Sequence, residues 1–68
     1  MHLSIETEQE TDGRWIAEIP ELSGVLAYGG TRDEAMSRAQ VLALRVLAER
    51  LEASATKPVA LSMTLPAV

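Results

Sequence analysis

Residues 15–35 read W-I-A-E-I-P-E-L-S-G-V-L-A-Y-G-G-T-R-D-E-A, and the reading of this stretch decides the fold. Trp15, Ala17 and Ile19 fall on one face, with Arg14, Ile16 and Glu18 on the other, so residues 14–19 are expected as a half-buried strand. Pro20 has no N–H for a ladder and closes that strand or holds it at an edge. A bend over residues 21–24 leads into a short third strand at 25–28. Gly29 and Gly30 then let the backbone turn sharply before a helix. Thr31, Arg32, Asp33 and Glu34 match a capping box, in which the Thr31 hydroxyl accepts from the Glu34 N–H and the Glu34 carboxylate reaches back to the Thr31 N–H. Asp33 and Glu34 also suit the positive end of the helix dipole.

Before this stretch, Leu3, Ile5 and Thr7 alternate with His2, Ser4, Glu6 and Glu8, which predicts a first strand over residues 2–8. Residues 9–13 end in Asp12-Gly13, a pair that tolerates the positive φ of a hairpin turn. After it, Ala, Leu, Arg, Glu and Gln dominate from residue 32 to about 53, all good helix formers. Residues 54–58 break the pattern. Alternation then returns over 59–65, with Val59, Leu61, Met63 and Leu65 facing one way, and Pro66 ends that strand. The expected order is β-β-β-α-β in a single domain over residues 1–68. This is the α+β class: a three-stranded antiparallel meander, one helix laid on a face, and a fourth strand.

The helix carries more apolar surface than one small sheet can cover. Ala35, Ala39, Leu42, Ala43, Val46 and Leu47 form one stripe with Met36 at its margin, and this stripe is expected to face the sheet. Val41, Leu44, Ala48 and Leu51 form a second, nearly opposite stripe. Between the two runs a narrow polar strip of Arg38, Arg45, Glu49 and Glu52. Scattered apolar surface residues are common and need no explanation. A contiguous stripe marks an interaction site, so these four residues are the candidate oligomer interface of a dimer or tetramer. Chain length points the same way: 68 residues bury about 60% of the surface exposed on unfolding, and with no Cys there is no disulfide to help.

The same composition narrows the function. Ten acidic side chains against six basic ones give a net charge of −4, which disfavours binding to a phosphate backbone and suits a basic partner. No signal peptide or membrane-spanning run is visible, and the lack of Cys fits a cytoplasmic protein. His2 is the single histidine, so neither a His-based metal cluster nor a Ser/His/Asp arrangement can assemble within one chain. The glycines before the helix lack the G-x-G-x-x-G spacing and are followed by acidic residues that would repel a phosphate. The carboxylates are numerous, but no two are marked by an apolar pocket as a catalytic pair. Trp15 and Tyr28 are the sole aromatic residues, too few for a stacking platform. Trp15 is expected in the core. No enzyme activity, cofactor or metal is expected.

The spacing of Asp12-Gly13, Trp15, Ala17, Pro20, Leu22, Gly24, Gly29, Thr31, Glu34 and Ala35 resembles the signature of the HicB antitoxin family, over about a third of the chain. Position 25 is Val where many relatives carry Cys. The resemblance implies a partial ribonuclease-H-like fold. It also implies a module that masks HicA, a small basic toxin that cleaves mRNA. The family's separate operator-binding domain has no counterpart before Val68, so a stand-alone antitoxin domain is the expectation. Its partner-binding residues are expected among exposed acidic positions, chiefly Glu8, Glu18 and Glu21, with Tyr28 nearby. The alternative expectation is an orphan homo-oligomeric protein of the same fold, with a structural, regulatory or small-ligand-binding role and no toxin.

Overall fold

The computed structural model describes residues 1–54 and 57–66; the expected break at 54–58 lies partly outside them. The elements are β1 (His2–Ser4), β2 (Glu6–Gln9), β3 (Trp15–Glu18), β4 (Leu26–Gly29), α1 (Arg32–Ser54) and β5 (Ser62–Thr64). Strands β2, β3 and β4 form an antiparallel sheet in that order, and β5 pairs in parallel with β1. The chain is therefore α+β, with α1 packed mainly on β4 and β3.

Alternation places Leu3, Ile5, Ala17 and Ile19 in the core as anticipated. With Leu22 and Val25, which alternation does not assign, they meet Ala35, Met36, Ala39, Ala43 and Leu47 of the helix. Three of the five helix residues in this core are alanines, which lets α1 lie close to the sheet. Trp15 is half-buried at the margin of this cluster. Leu42 is a correction: it was expected against the sheet, yet it is 37% exposed, while Met36 at the supposed margin is buried. The buried arc centres nearer Ala43 than the alternation of large residues suggests, because the alanines set the line of closest approach.

The first expected strand is also corrected. It is two strands meeting at Ile5, because its halves have different neighbours. Beyond β3, Ile19 donates its N–H to the Val25 carbonyl at 3.0 Å. Pro20 has no donor to offer a neighbouring strand. Opposite Ser4 a side chain takes over: Glu21 accepts from the Ser4 N–H at 2.9 Å and from its hydroxyl at 2.7 Å. On its other edge β1 gains β5, in the register His2 to Ser62 and Ser4 to Thr64. His2 fastens this pair through Nδ1 to Ser62 Oγ at 2.7 Å and Nε2 to Thr64 Oγ1 at 3.0 Å. The last strand is shorter than the expected 59–65, and Val59, Leu61 and Leu65 are exposed.

Two glycines act differently from each other. Gly24 holds φ at +82° in the bend, a region that L side chains rarely adopt. Gly29 has no such φ. It is there because a Cβ would lie 2.6 Å from the Ala35 backbone nitrogen, so β4 passes directly over the first turn of α1. The cap is half as expected: Thr31 Oγ1 accepts from the Glu34 N–H at 3.1 Å, but the Glu34 carboxylate receives the Gly30 N–H at 3.4 Å and Arg38 at 3.0 Å.

The helix outruns the sheet that it covers. A helix of 23 residues is about 35 Å long, whereas three strands side by side span roughly 14 Å. The radius of gyration is 13.0 Å, against roughly 11 Å for a compact chain of this size. Beyond Leu47 every described residue of α1 is exposed, and the outer apolar side of the helix is uncovered.

Candidate protein-binding surface

One face of the β2-β3-β4 sheet is packed on α1 and the other is open. Pairing aligns Glu6 with Glu18 and Glu18 with Leu26 across one row, and Glu8 with Ile16 and Ile16 with Tyr28 across the next. These residues share the open face because they sit between the buried positions Ala17 and Ile19 along the chain and their counterparts on β2 and β4. The face is thus acidic on β2 and apolar toward β4, where Leu26 is 38% and Tyr28 41% exposed. Glu6, Glu8, Glu10, Ile16 and Glu18 line a shallow concavity of about 200 Å³. Their carboxylates make no hydrogen bond or ion pair among the described residues.

Like charges directly across a ladder destabilise a sheet, yet Glu6 and Glu18 are direct partners. Among the described residues no cation pairs with either of them. Arg14, the cation of this face, is taken up at its other end: it pairs with Asp12 at 2.9 Å and lies 4.9 Å from the centre of the Tyr28 ring. The Asp12 carboxyl is held below its ordinary value chiefly by the Arg14 backbone N–H.

Of the four residues expected to bind a partner, Glu8, Glu18 and Tyr28 are brought together here. Glu21 is not, since it is the clamp on Ser4. Its pKa is lowered, first by the Ser4 backbone N–H and then by the Ser4 hydroxyl. A carboxylate with a depressed folded-state pKa stabilises fully above its ordinary value of 4.5 and loses that contribution as pH falls through the folded value. Glu21→Gln is therefore expected to lower the urea midpoint at pH 7, with a gap to the parent chain that narrows below pH 4.5. A gap that stays constant with pH would show the clamp to be unimportant. Glu6, Glu10, Ile16 and Leu26 were missed by the sequence reading, although the period-two parity that placed Glu8 and Glu18 also assigns Glu6 and Ile16 to their side.

A second surface lies on α1. Val41, Leu44 and Leu51 are 47%, 54% and 41% exposed, and Ala48 is exposed with them. Toward β4, a groove of about 410 Å³ runs between Ala27 and Tyr28 on one side and Arg38, Val41 and Leu42 on the other. Arg38 bridges it by donating to the Tyr28 carbonyl at 2.9 Å. Beyond the sheet, Leu51 lines a smaller groove with Met1, Leu47, Val59 and Leu61.

Among the described residues no group of three or more His, Cys, Asp or Glu side chains is arranged to hold a metal ion, and no helix is long and apolar enough to cross a membrane. No protein-family model, curated protein or solved structure matches this chain. The surfaces themselves therefore carry the functional reading.

Proposed function

We propose that this chain is a non-enzymatic protein-binding module of the HicB antitoxin type, on a partial ribonuclease-H-like fold. It neutralises a small basic RNA-cleaving toxin by covering it with the open sheet face. The observation that carries the reading is the opposition of Glu6 and Glu18 with no cation paired to either among the described residues. A local rule broken without compensation inside the chain is expected where function resides, and a basic partner supplies the missing compensation. The adjoining Ile16, Leu26 and Tyr28 give that partner apolar area, with Tyr28 as an anchor of the kind enriched in interfaces. The residue spacing from Asp12 to Ala35 supports the family reading independently.

The test is co-expression of the chain with any small basic protein whose reading frame adjoins its own. A stable complex is expected, and association is expected to be fast at low salt because complementary charge steers encounter. Glu8→Arg combined with Glu18→Arg is expected to slow association about tenfold or more at low ionic strength, with a smaller effect at high salt. An unchanged on-rate would place the partner elsewhere. The exposed stripe on α1 favours a second reading, an orphan homo-oligomer without toxin. A pull-down that recovers the chain alone would point to it.

A further inference from the structure

The outer stripe of α1 has a symmetry of its own. Val41, Leu44, Ala48 and Leu51 are separated by steps of three, four and three residues, so the stripe reads the same in both directions. We propose that it joins two copies of this chain through an antiparallel pairing of their helices about a twofold axis midway between Leu44 and Ala48. That axis sets Leu44 of each copy against Ala48 of the other, a large side chain into the space over a small one. The same operation sets Val41 of each against Leu51 of the other, at the mouth of the groove formed with Val59 and Leu61. The exposed apolar groups at the C-terminal end of the helix are thereby covered.

Charge selects this occupant and this direction. The polar strip beside the stripe is basic toward the N-terminus, at Arg38 and Arg45, and acidic toward the C-terminus, at Glu49 and Glu52. The side chains of Arg45, Glu49 and Glu52 have no partner among the described residues. A twofold of this kind keeps the strip on the same side of both copies, so in the antiparallel arrangement Arg45 meets Glu49 and Arg38 approaches Glu52. A parallel arrangement would put the two strips on opposite sides of the pair, where Arg45 and Glu49 face no counterpart strip. Opposite charges across the seam therefore favour the antiparallel arrangement. The open sheet face takes no part in the contact, so the dimer stands whether or not a toxin binds there.

The chain has no Cys, which makes directed cross-linking clean. Val41→Cys and Leu51→Cys chains, each oxidised alone and then mixed, are the probes. In the proposed register a Cys at 41 lies beside a Cys at 51 of the other copy. Two Cys at 41 lie ten residues, or about 15 Å, apart along the axis, beyond the reach of a disulfide. The mixture is expected to give a cross-linked dimer and neither chain alone to give one. Sedimentation of the parent chain is expected to approach twice the 7.4 kDa chain mass. Leu44→Glu is expected to sediment at the single-chain mass with its helical circular dichroism intact. Arg45→Glu is expected to weaken association at least fivefold, and adding Glu49→Arg to restore it. A parent chain that stays monomeric at 200 µM, self-linking by Val41→Cys, or a dimer that neither probe cross-links when mixed would each overturn the proposal.

Discussion

Gly29→Ala is expected to destabilise the chain by about 1–3 kcal/mol, and Gly29→Val to leave it largely unfolded. The added Cβ would lie 2.6 Å from the Ala35 backbone nitrogen and 3.0 Å from the carbonyl carbon and Cβ of Glu34. Only one of these atoms belongs to a side chain, and that one is fixed to the backbone, so no rotamer change relieves the clash. The helix start must move. That start is held by the Thr31 hydroxyl on the Glu34 N–H and by the Ala35 N–H on the Thr31 carbonyl at 3.1 Å. Ala35 and Ala39 behind it are fully buried. Moving α1 off β4 therefore opens the core along its tightest seam. A chain of 68 residues has a total stability of roughly 3–10 kcal/mol, so the loss is a large fraction of the whole. Gly30→Ala is the internal control, because a Cβ there meets nothing within 4 Å and its φ is not positive. Urea denaturation is expected to separate the two neighbours by at least about 1 kcal/mol, and equal midpoints would refute the close-approach role of Gly29.

Gly29 also illustrates how far the sequence could be read. A glycine ahead of a capping Thr signals a turn as readily as a close approach, and nothing in the local residues separates the two. Features fixed by neighbours in the chain were legible. The Asp12-Gly13 turn forms with Gly13 at φ +93°, and the Thr31 cap starts a helix that runs on to Ser54. Parity along the strands put Leu3, Ile5, Ala17 and Ile19 inside and Glu8 and Glu18 outside. Features fixed by distant partners were not. Parity states which way a side chain points and is silent on which strand lies beside it, so the division of the first strand at Ile5 and the parallel docking of β5 stayed hidden. For the same reason Glu21 looked like a free surface acid, whereas Ser4 holds it across 17 positions of sequence. The candidate site was half visible, since Glu8, Glu18 and Tyr28 were picked out singly and the opposition of Glu6 to Glu18 needs the register.

Leu22→Ala is expected to cost about 2–5 kcal/mol, as much as truncating a residue in the middle of a strand or helix. Leu22 belongs to neither, and in most proteins such a loop position tolerates change. Here it is 1% exposed and, with Leu3 and Ile19, among the largest fully buried side chains. The backbone leaves it no freedom to withdraw. Its N–H donates to the Ile19 carbonyl at 3.0 Å, and its carbonyl accepts from the Val25 N–H at 3.1 Å. On one side Glu21 is clamped to Ser4, and on the other Gly24 turns the chain at positive φ. The bend is thus a plug driven into the end of the core, and its rigidity prevents the collapse that would shrink a cavity. The comparison is Leu44→Ala, whose side chain is 54% exposed and whose loss is expected to change monomer stability by less than about 0.5 kcal/mol. Urea midpoints measured at low concentration, where a dimer does not contribute, check both. A small effect at Leu22 would mean that the bend relaxes onto the void. In that case the path from β3 to β4, and with it the position of Glu18 on the open face, would be less firmly set than its hydrogen bonds imply.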